Sequence, residues 1–240
     1  MQQRIVAVIP ARLASSRLPR KVLREIAGQP LLAWVYRAAK SCPQLDEVIV
    51  AADSPEVQSL CHERGWPCLM TSPDLPSGTD RLFAVSRSVD ADIYVNIQGD
   101  EPLLHPDHIT AILAPFAMSH VDVTTLKVAC RPEDLTNPNA VKVVTALDGR
   151  ALYFSRATIP TGPAQIFKHL GLYAYRKAAL ERFASLKPSP LEQSERLEQL
   201  RLLENGLSLY VADPPHDTIG VDTEEDLQRV AAILEKTGIW

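Results

Sequence analysis

Ile5 to Ile9 is an unbroken apolar run, and similar runs return at Glu47–Ala51 (EVIVA) and within Asp92–Ile97 (DIYVNI), with helix-periodic stretches between them. Runs of this kind read as strands buried on both faces, as in a parallel sheet covered by helices. Strands are expected at Arg4–Ile9, Glu47–Ala51, Pro67–Met70, Asp92–Ile97 and Val121–Val128, and helices at Pro30–Cys42, Ser54–Arg64, Gly78–Val89 and Pro106–Met118. The alternation predicts an α/β fold, a mostly parallel sheet flanked by helices.

After about residue 130 the rhythm changes. Val141–Thr145, Ala151–Ser155 and Lys168–Arg176 read as strands with little helix between them, and PTGPAQ (Pro160–Gln165) as a flexible connection. Ser189–Gly206 reads as one helix: a serine cap before Pro190, apolar positions at Leu197, Leu200 and Leu203, and a closing glycine. Leu207–Asp213 and Thr223–Leu234 supply a last strand and helix. The expectation is a single domain over 1–240 with a smaller β-rich excursion at about 130–206, suited to a second substrate or a dimer contact.

Composition removes several classes. A net charge of −4 argues against general nucleic-acid binding, which needs a basic excess. Cys42, Cys61, Cys68 and Cys130 form no CxxC pair, so they read as free core thiols. No apolar stretch suits a membrane span or signal peptide, which makes a cytoplasmic protein the expectation.

The first strand empties into IPARLASSRLPRK, which carries Arg12, Arg17, Arg20 and Lys21 among the small residues Ala14, Ser15 and Ser16. In open parallel sheets, ligands sit outside the carboxyl ends of the strands. A cationic loop there, with hydroxyl and backbone donors, suits an oligophosphate, although a solvated basic loop is the plainer alternative. SGTDR (Ser77–Arg81) offers a Ser-Gly turn that lets a nucleotide approach backbone, followed by Thr79 as the expected helix cap, and also reads as an ordinary helix start. NIQGDEP (Asn96–Pro102) ends a buried strand in a polar knot of Gln98, Gly99, Asp100 and Glu101. In GVDTEED, capping accounts for Thr223 and Glu225 but leaves Asp222 as a spare carboxylate. HPDHIT, with His105 and His108 around Asp107, is explained by helix initiation rather than a metal.

A phosphate loop with two strand-end carboxylates suggests Mg²⁺-dependent transfer on a nucleoside triphosphate. The GxGxxG of a dinucleotide oxidoreductase and the GxxxxGK[ST] of a P-loop kinase are both missing. A non-catalytic nucleotide-binding module stays open, since binding needs the loop but not the carboxylates.

Together, IPARLASSRLPRKVL, SGTDR, NIQGDEP, NPNAVKVV, ALYFSR, KHLGLYAYR, PSPLEQSERLEQLRLLENG and GVDTEEDL resemble the 3-deoxy-manno-octulosonate cytidylyltransferases (CMP-Kdo synthetases), in order from Ile5 to Leu227. The resemblance implies a Rossmann-like nucleotide-binding sheet, a homodimer, and activation of Kdo by CTP, releasing pyrophosphate, for lipopolysaccharide biosynthesis. It implies triphosphate contacts at Arg12 and Lys21, with Arg17 a further candidate, and Pro10 and Ala11 beside the nucleotide. Ser77, Gly78 and Arg81 would lie at the cytosine end, and Asp100 and Asp222 at Mg²⁺. Gln98, Arg156, His169, Tyr173, Glu195 and Gln199 would surround the acidic sugar. Arg156 could offer a bidentate fork to its carboxylate. His169 and Tyr173 share a strand face, and Glu195 and Gln199, four apart, would share a helical one. An 8-amino analogue or a sialate-like acid stays open as the sugar.

Overall fold

The first apolar run forms β1 (Ile5–Ala11), buried almost throughout, in a computed structural model that describes residues 3–13, 18–162 and 164–237. A short 3-10 turn at Lys21–Leu23 follows, then a two-stranded ribbon, β2 (Glu25–Ile26) and β3 (Gln29–Pro30), whose tight turn takes Ala27 and Gly28 through positive φ. This ribbon was not expected, because two-residue strands carry no periodicity. Next come α1 (Leu31–Lys40), β4 (Glu47–Ala52), α2 (Pro55–Arg64), β5 (Cys68–Met70), α3 (Gly78–Ser86) and β6 (Ile93–Asn96).

Local chemistry explains the boundaries. Ser54 caps α2 by accepting from Val57 N–H at 3.3 Å, Pro55 sits at the first turn, and Gly65 ends the helix at φ 67°. Ser77 and Asp80 form a reciprocal capping box on α3. Trp34 of α1 donates its indole N–H to the Ile26 carbonyl at 2.9 Å, tying helix to ribbon.

The chain divides into two compact units, Met1–Pro106 with Thr218–Trp240, and Asp107–Asp217. The second is wider than the stretch 130–206 singled out in the sequence. In the first, the strand order is β6-β1-β4-β5, all parallel, with α1, α2 and α3 packed on it. The chain moves from β1 outward to β5 and then returns to β1's other side at β6. That reversal opens a crevice at the carboxyl ends of β1 and β6.

The second unit contains α4 (Pro106–Leu113), which continues as a 3-10 turn, then β7 (Val123–Ala129), β8 (Lys142–Thr145), β9 (Ala151–Ser155), β10 (Phe167–Arg176), α5 (Lys177–Ser185), α6 (Pro190–Glu195), α7 (Gln199–Glu204) and β11 (Leu209–Ala212). Here β7 pairs parallel with β11 and antiparallel with β10, and β8 lies antiparallel to β10 and β9. The last helix, α8 (Glu224–Thr237), belongs to the first unit.

The single helix expected at Ser189–Gly206 is two. Arg196 turns into the left-handed region at φ 55° between α6 and α7. Glu195 is drawn to β9, its carboxylate accepting from Ser155 Oγ at 2.7 Å and from Arg156 N–H at 2.9 Å. The helix bends at the residue whose side chain leaves for another strand, so Glu195 and Gln199 do not share a helical face. All four cysteines are free, with Cys42 and Cys61 buried and Cys68 and Cys130 half-buried. No helix among the described residues is long and apolar enough to cross a membrane.

Candidate active site

The crevice is built on close backbone approach. A Cβ at Gly99 would lie 2.7 Å from the Pro10 carbonyl oxygen, so only glycine lets the loop after β6 lie against the end of β1. A Cβ at Gly78 would meet Pro10 Cγ at 3.4 Å, Gln98 Nε2 at 3.5 Å and Asn96 Nδ2 at 3.6 Å. Pro10, Gly78 and Gln98, widely separated in sequence, are therefore neighbours around one point. Ala11, the last residue of β1, is fully buried beside them.

Lys21 lies between two carboxylates from distant parts of the sequence. Leu18 and Val22 are buried anchors for its loop, and Arg20, left-handed at φ 58°, pairs with Glu56. Lys21 Nζ then donates to Asp100 Oδ2 at 2.6 Å and Asp222 Oδ1 at 2.9 Å. Its side chain is only 12% exposed rather than lying in an open loop. Burial acts to lower the amine's pKa, but the two carboxylates outweigh it and raise the value above 10.5. Asp222 is brought in by backbone, since Val221 N–H donates to the Asp100 carbonyl at 2.9 Å. Asp226, not Glu225, closes the cap with Thr223, its Oδ2 accepting from Thr223 N–H at 3.0 Å.

Arg12 is exposed and donates to the Pro76 carbonyl at 3.2 Å, which links the loop after β1 to the start of α3. Arg17 lies outside the described residues, as do Ala14, Ser15 and Ser16. Ser77, not Thr79, caps α3, because its hydroxyl accepts from Asp80 N–H while the Asp80 carboxylate reaches back to Ser77 N–H, and Thr79 falls inside the first turn. Arg81 is fully buried: it donates to Thr71 Oγ1 at 2.6 Å, to the Ser72 carbonyl at 3.1 Å and to Asp53 Oδ2 at 3.2 Å. The same Asp53 accepts from Leu13 N–H at 2.9 Å, so one carboxylate fixes both the cationic loop and α3. Sequence reasoning passed over Asp53. The signal was present, because it ends the buried run EVIVAA as Asp100 follows DIYVNI.

In the second unit, Arg156 and Glu195 line a cavity of about 600 Å³ with Pro138, Asn139, Ser194 and Arg196. Arg156 donates Nε to the Glu195 carbonyl at 3.0 Å, Nη1 to Pro138 at 3.0 Å and Nη2 to Arg196 at 3.3 Å. Gln199 is buried. His169 and Tyr173 lie 5.3 Å apart between ring centroids, and Tyr175 extends the row, despite an irregularity in the pairing between Leu170 and Tyr173. Burial lowers the His169 pKa to about 3, so the ring is neutral. Thr125 Oγ1 donates to the Leu172 carbonyl at 2.6 Å and lies 2.8 Å from His169 Nε2; with the hydroxyl proton on that carbonyl, the neutral ring is the donor, from Nε2. That tautomer leaves Nδ1 as an acceptor. His108, set aside as a metal ligand, is fully buried and donates Nε2–H to the His216 carbonyl at 3.0 Å.

A parallel sheet whose switch point carries a lysine between two carboxylates, beside glycines that admit a ligand to backbone, is suited to an anionic nucleotide, and the comparisons with known proteins place the chain among the nucleotidyltransferases. The family described as Cytidylyltransferase matches residues 6–212. A 3-deoxy-manno-octulosonate cytidylyltransferase of Acidobacterium capsulatum is 63% identical over 235 residues, covering 96% of each chain. That of Koribacter versatilis is 57% identical, covering 95% of this chain and 89% of its own. The solved CMP:2-keto-3-deoxy-manno-octonic acid synthetase complexed with CTP superposes with a TM-score of 0.94 at 40% identity, over 98% of this chain and 99% of that one. The chain belongs to the cytidylyltransferase family.

Proposed function

We propose that this chain joins CTP to 3-deoxy-manno-octulosonate (Kdo), giving CMP-Kdo and pyrophosphate. The observation that carries the reading is the convergence of Lys21, Asp100 and Asp222 at the β1/β6 crevice, and the names of the relatives support the substrates. Lys21 and Arg12 neutralise the triphosphate, while Gly78 and Gly99 let the nucleotide approach backbone. The anomeric hydroxyl of the sugar attacks the α-phosphate in line and pyrophosphate leaves, so the protein's work is positioning and charge neutralisation.

Mg²⁺ fits the residues. Two carboxylates form an all-oxygen donor set, and the structure already places a cation between them in the form of the Lys21 ammonium. Asp100 and Asp222 would hold the ion once Lys21 turns to phosphate. When bound, it supplies charge neutralisation on the phosphoryl oxygens.

Within the second unit, the cavity at Arg156 and Glu195 takes the acidic sugar, with His169, Tyr173 and Gln199 contributing to its recognition. His169 serves as a neutral hydrogen-bonding group. The product feeds lipopolysaccharide assembly in the cytoplasm. A homodimer is part of the reading, supported by the exposed Leu147 and Leu152 around the β8–β9 turn, and light scattering tests it. Pyrophosphate release from CTP, UTP, ATP and GTP with Kdo, its 8-amino analogue and sialate decides the substrates. Turnover only with CTP and Kdo is expected, whereas CTP binding without turnover on any of these sugars would leave a nucleotide-binding module.

A further inference from the structure

Lys142 on β8 is among the largest side chains with no exposure at all, and none of the described residues forms a salt bridge with it. A fully buried ammonium without a paired carboxylate is less favourable for folding than an apolar residue of the same length. What it does instead is donate to two backbone carbonyls, Asn137 at 2.7 Å and Arg156 at 3.4 Å. Those carbonyls belong to the two segments that frame the cavity wall. One carries Pro138, whose carbonyl accepts from Arg156 Nη1, and the other carries Arg156 itself. Asn139 N–H closes the first segment on Asn137 Oδ1 at 2.9 Å.

We infer that Lys142 is a positioning residue for the acidic-sugar site, holding loop 137–139 and the Arg156 backbone in the register that aims the Arg156 guanidinium along the cavity wall. The inference rests on the reading that Arg156 faces the sugar. Three guanidinium nitrogens already donate to carbonyls, and Arg156 keeps two further N–H donors whose direction those carbonyls set. One of these carbonyls, Pro138, is itself placed through Lys142. With no exposure, the amine is placed to act through the segments that carry the arginine rather than to touch a ligand.

The test uses the full-length enzyme with Lys142→Met, which keeps length without donors, Lys142→Gln, which keeps a donor, and Arg156→Ala. Expected for Lys142→Met is a KM for Kdo raised roughly tenfold or more, as for small misplacements of a positioning group, with the KM for CTP within about twofold. Lys142→Gln should recover part of the loss, and amide exchange over 137–139 should quicken in Lys142→Met. If Lys142→Met does not fold, Lys142→Gln and its exchange pattern carry the same decision. A KM for Kdo that rises in Arg156→Ala but stays at the wild-type value in both lysine variants sinks this inference alone. A parallel rise in both substrates' KM with a lowered Tm would make Lys142 merely structural and also overturn it. Arg156→Ala with unchanged Kdo KM removes the sugar-site reading and this inference together.

Discussion

In the proposed reaction, Lys21 is the residue on which phosphate chemistry and stability meet. Lys21→Ala removes a charge-assisted donor from a largely buried position, which should cost about 2–4 kcal/mol of transition-state stabilisation. Steady-state kcat/KM for CTP measures it, and a wild-type value would return the cationic loop to a solvated surface feature. The raised pKa adds a pH signature. The Lys21 contribution to stability is complete below the unfolded value of 10.5 and is lost as pH climbs through the folded value. His169 behaves in the opposite sense. With a folded pKa of about 3 against 6.5 unfolded, the unfolded chain binds the extra proton between those values. Stability should therefore fall as pH drops from 6.5 toward 3. His169→Gln should flatten that part of the Tm-against-pH curve, and an unchanged slope would place the acid sensitivity elsewhere.

Gly99 shows how one element constrains another. The loop leaving β6 passes so near β1 that a methyl group would press on the Pro10 carbonyl, and backbone on both sides leaves nothing flexible to yield. Gly99→Ala is expected to destabilise by about 1–3 kcal/mol, as overpacking does, and to lower kcat by displacing Asp100 one residue away. Denaturant unfolding and turnover measure the two effects, and an unaffected variant would mean that the strand ends move freely. Most elements were legible because their signals are local: buried runs for β1, β4 and β6, and helical stretches for α2 and α3, although α3 is capped by Ser77 with Asp80 rather than by Thr79, and α5, which follows β10 directly with no side-chain cap, was not expected. The break between α6 and α7 was not. A serine cap, acidic first turn and leucine spacing all favour one helix, and they are overruled by Glu195 bonding to Ser155 at the end of β9 and to Arg156 just beyond it.

At the scale of the molecule, the proposed centre depends on joining the loop after β6 to the turn before α8. Asp100→Asn and Asp222→Asn should each abolish most turnover and the response to added Mg²⁺, while CTP still binds weakly through Arg12 and Lys21. The double variant should be little worse than either single one, because groups serving one centre act as a unit. Near wild-type kcat for Asp222→Asn at limiting Mg²⁺ would remove the shared centre. The sequence by itself determined the alternating α/β plan of the first unit and the strand ends at which polar residues gather, together with most of its helices, since periodicity is set by residues a few positions apart. Only the tertiary structure decided that Lys21 lies between Asp100 and Asp222, that Asp53 ties Leu13 to Arg81, and that Arg81 is wholly buried. The physical reason is that a buried charge must find its partner after the chain has closed, and that partner is chosen by desolvation and distance in space rather than by spacing along the chain.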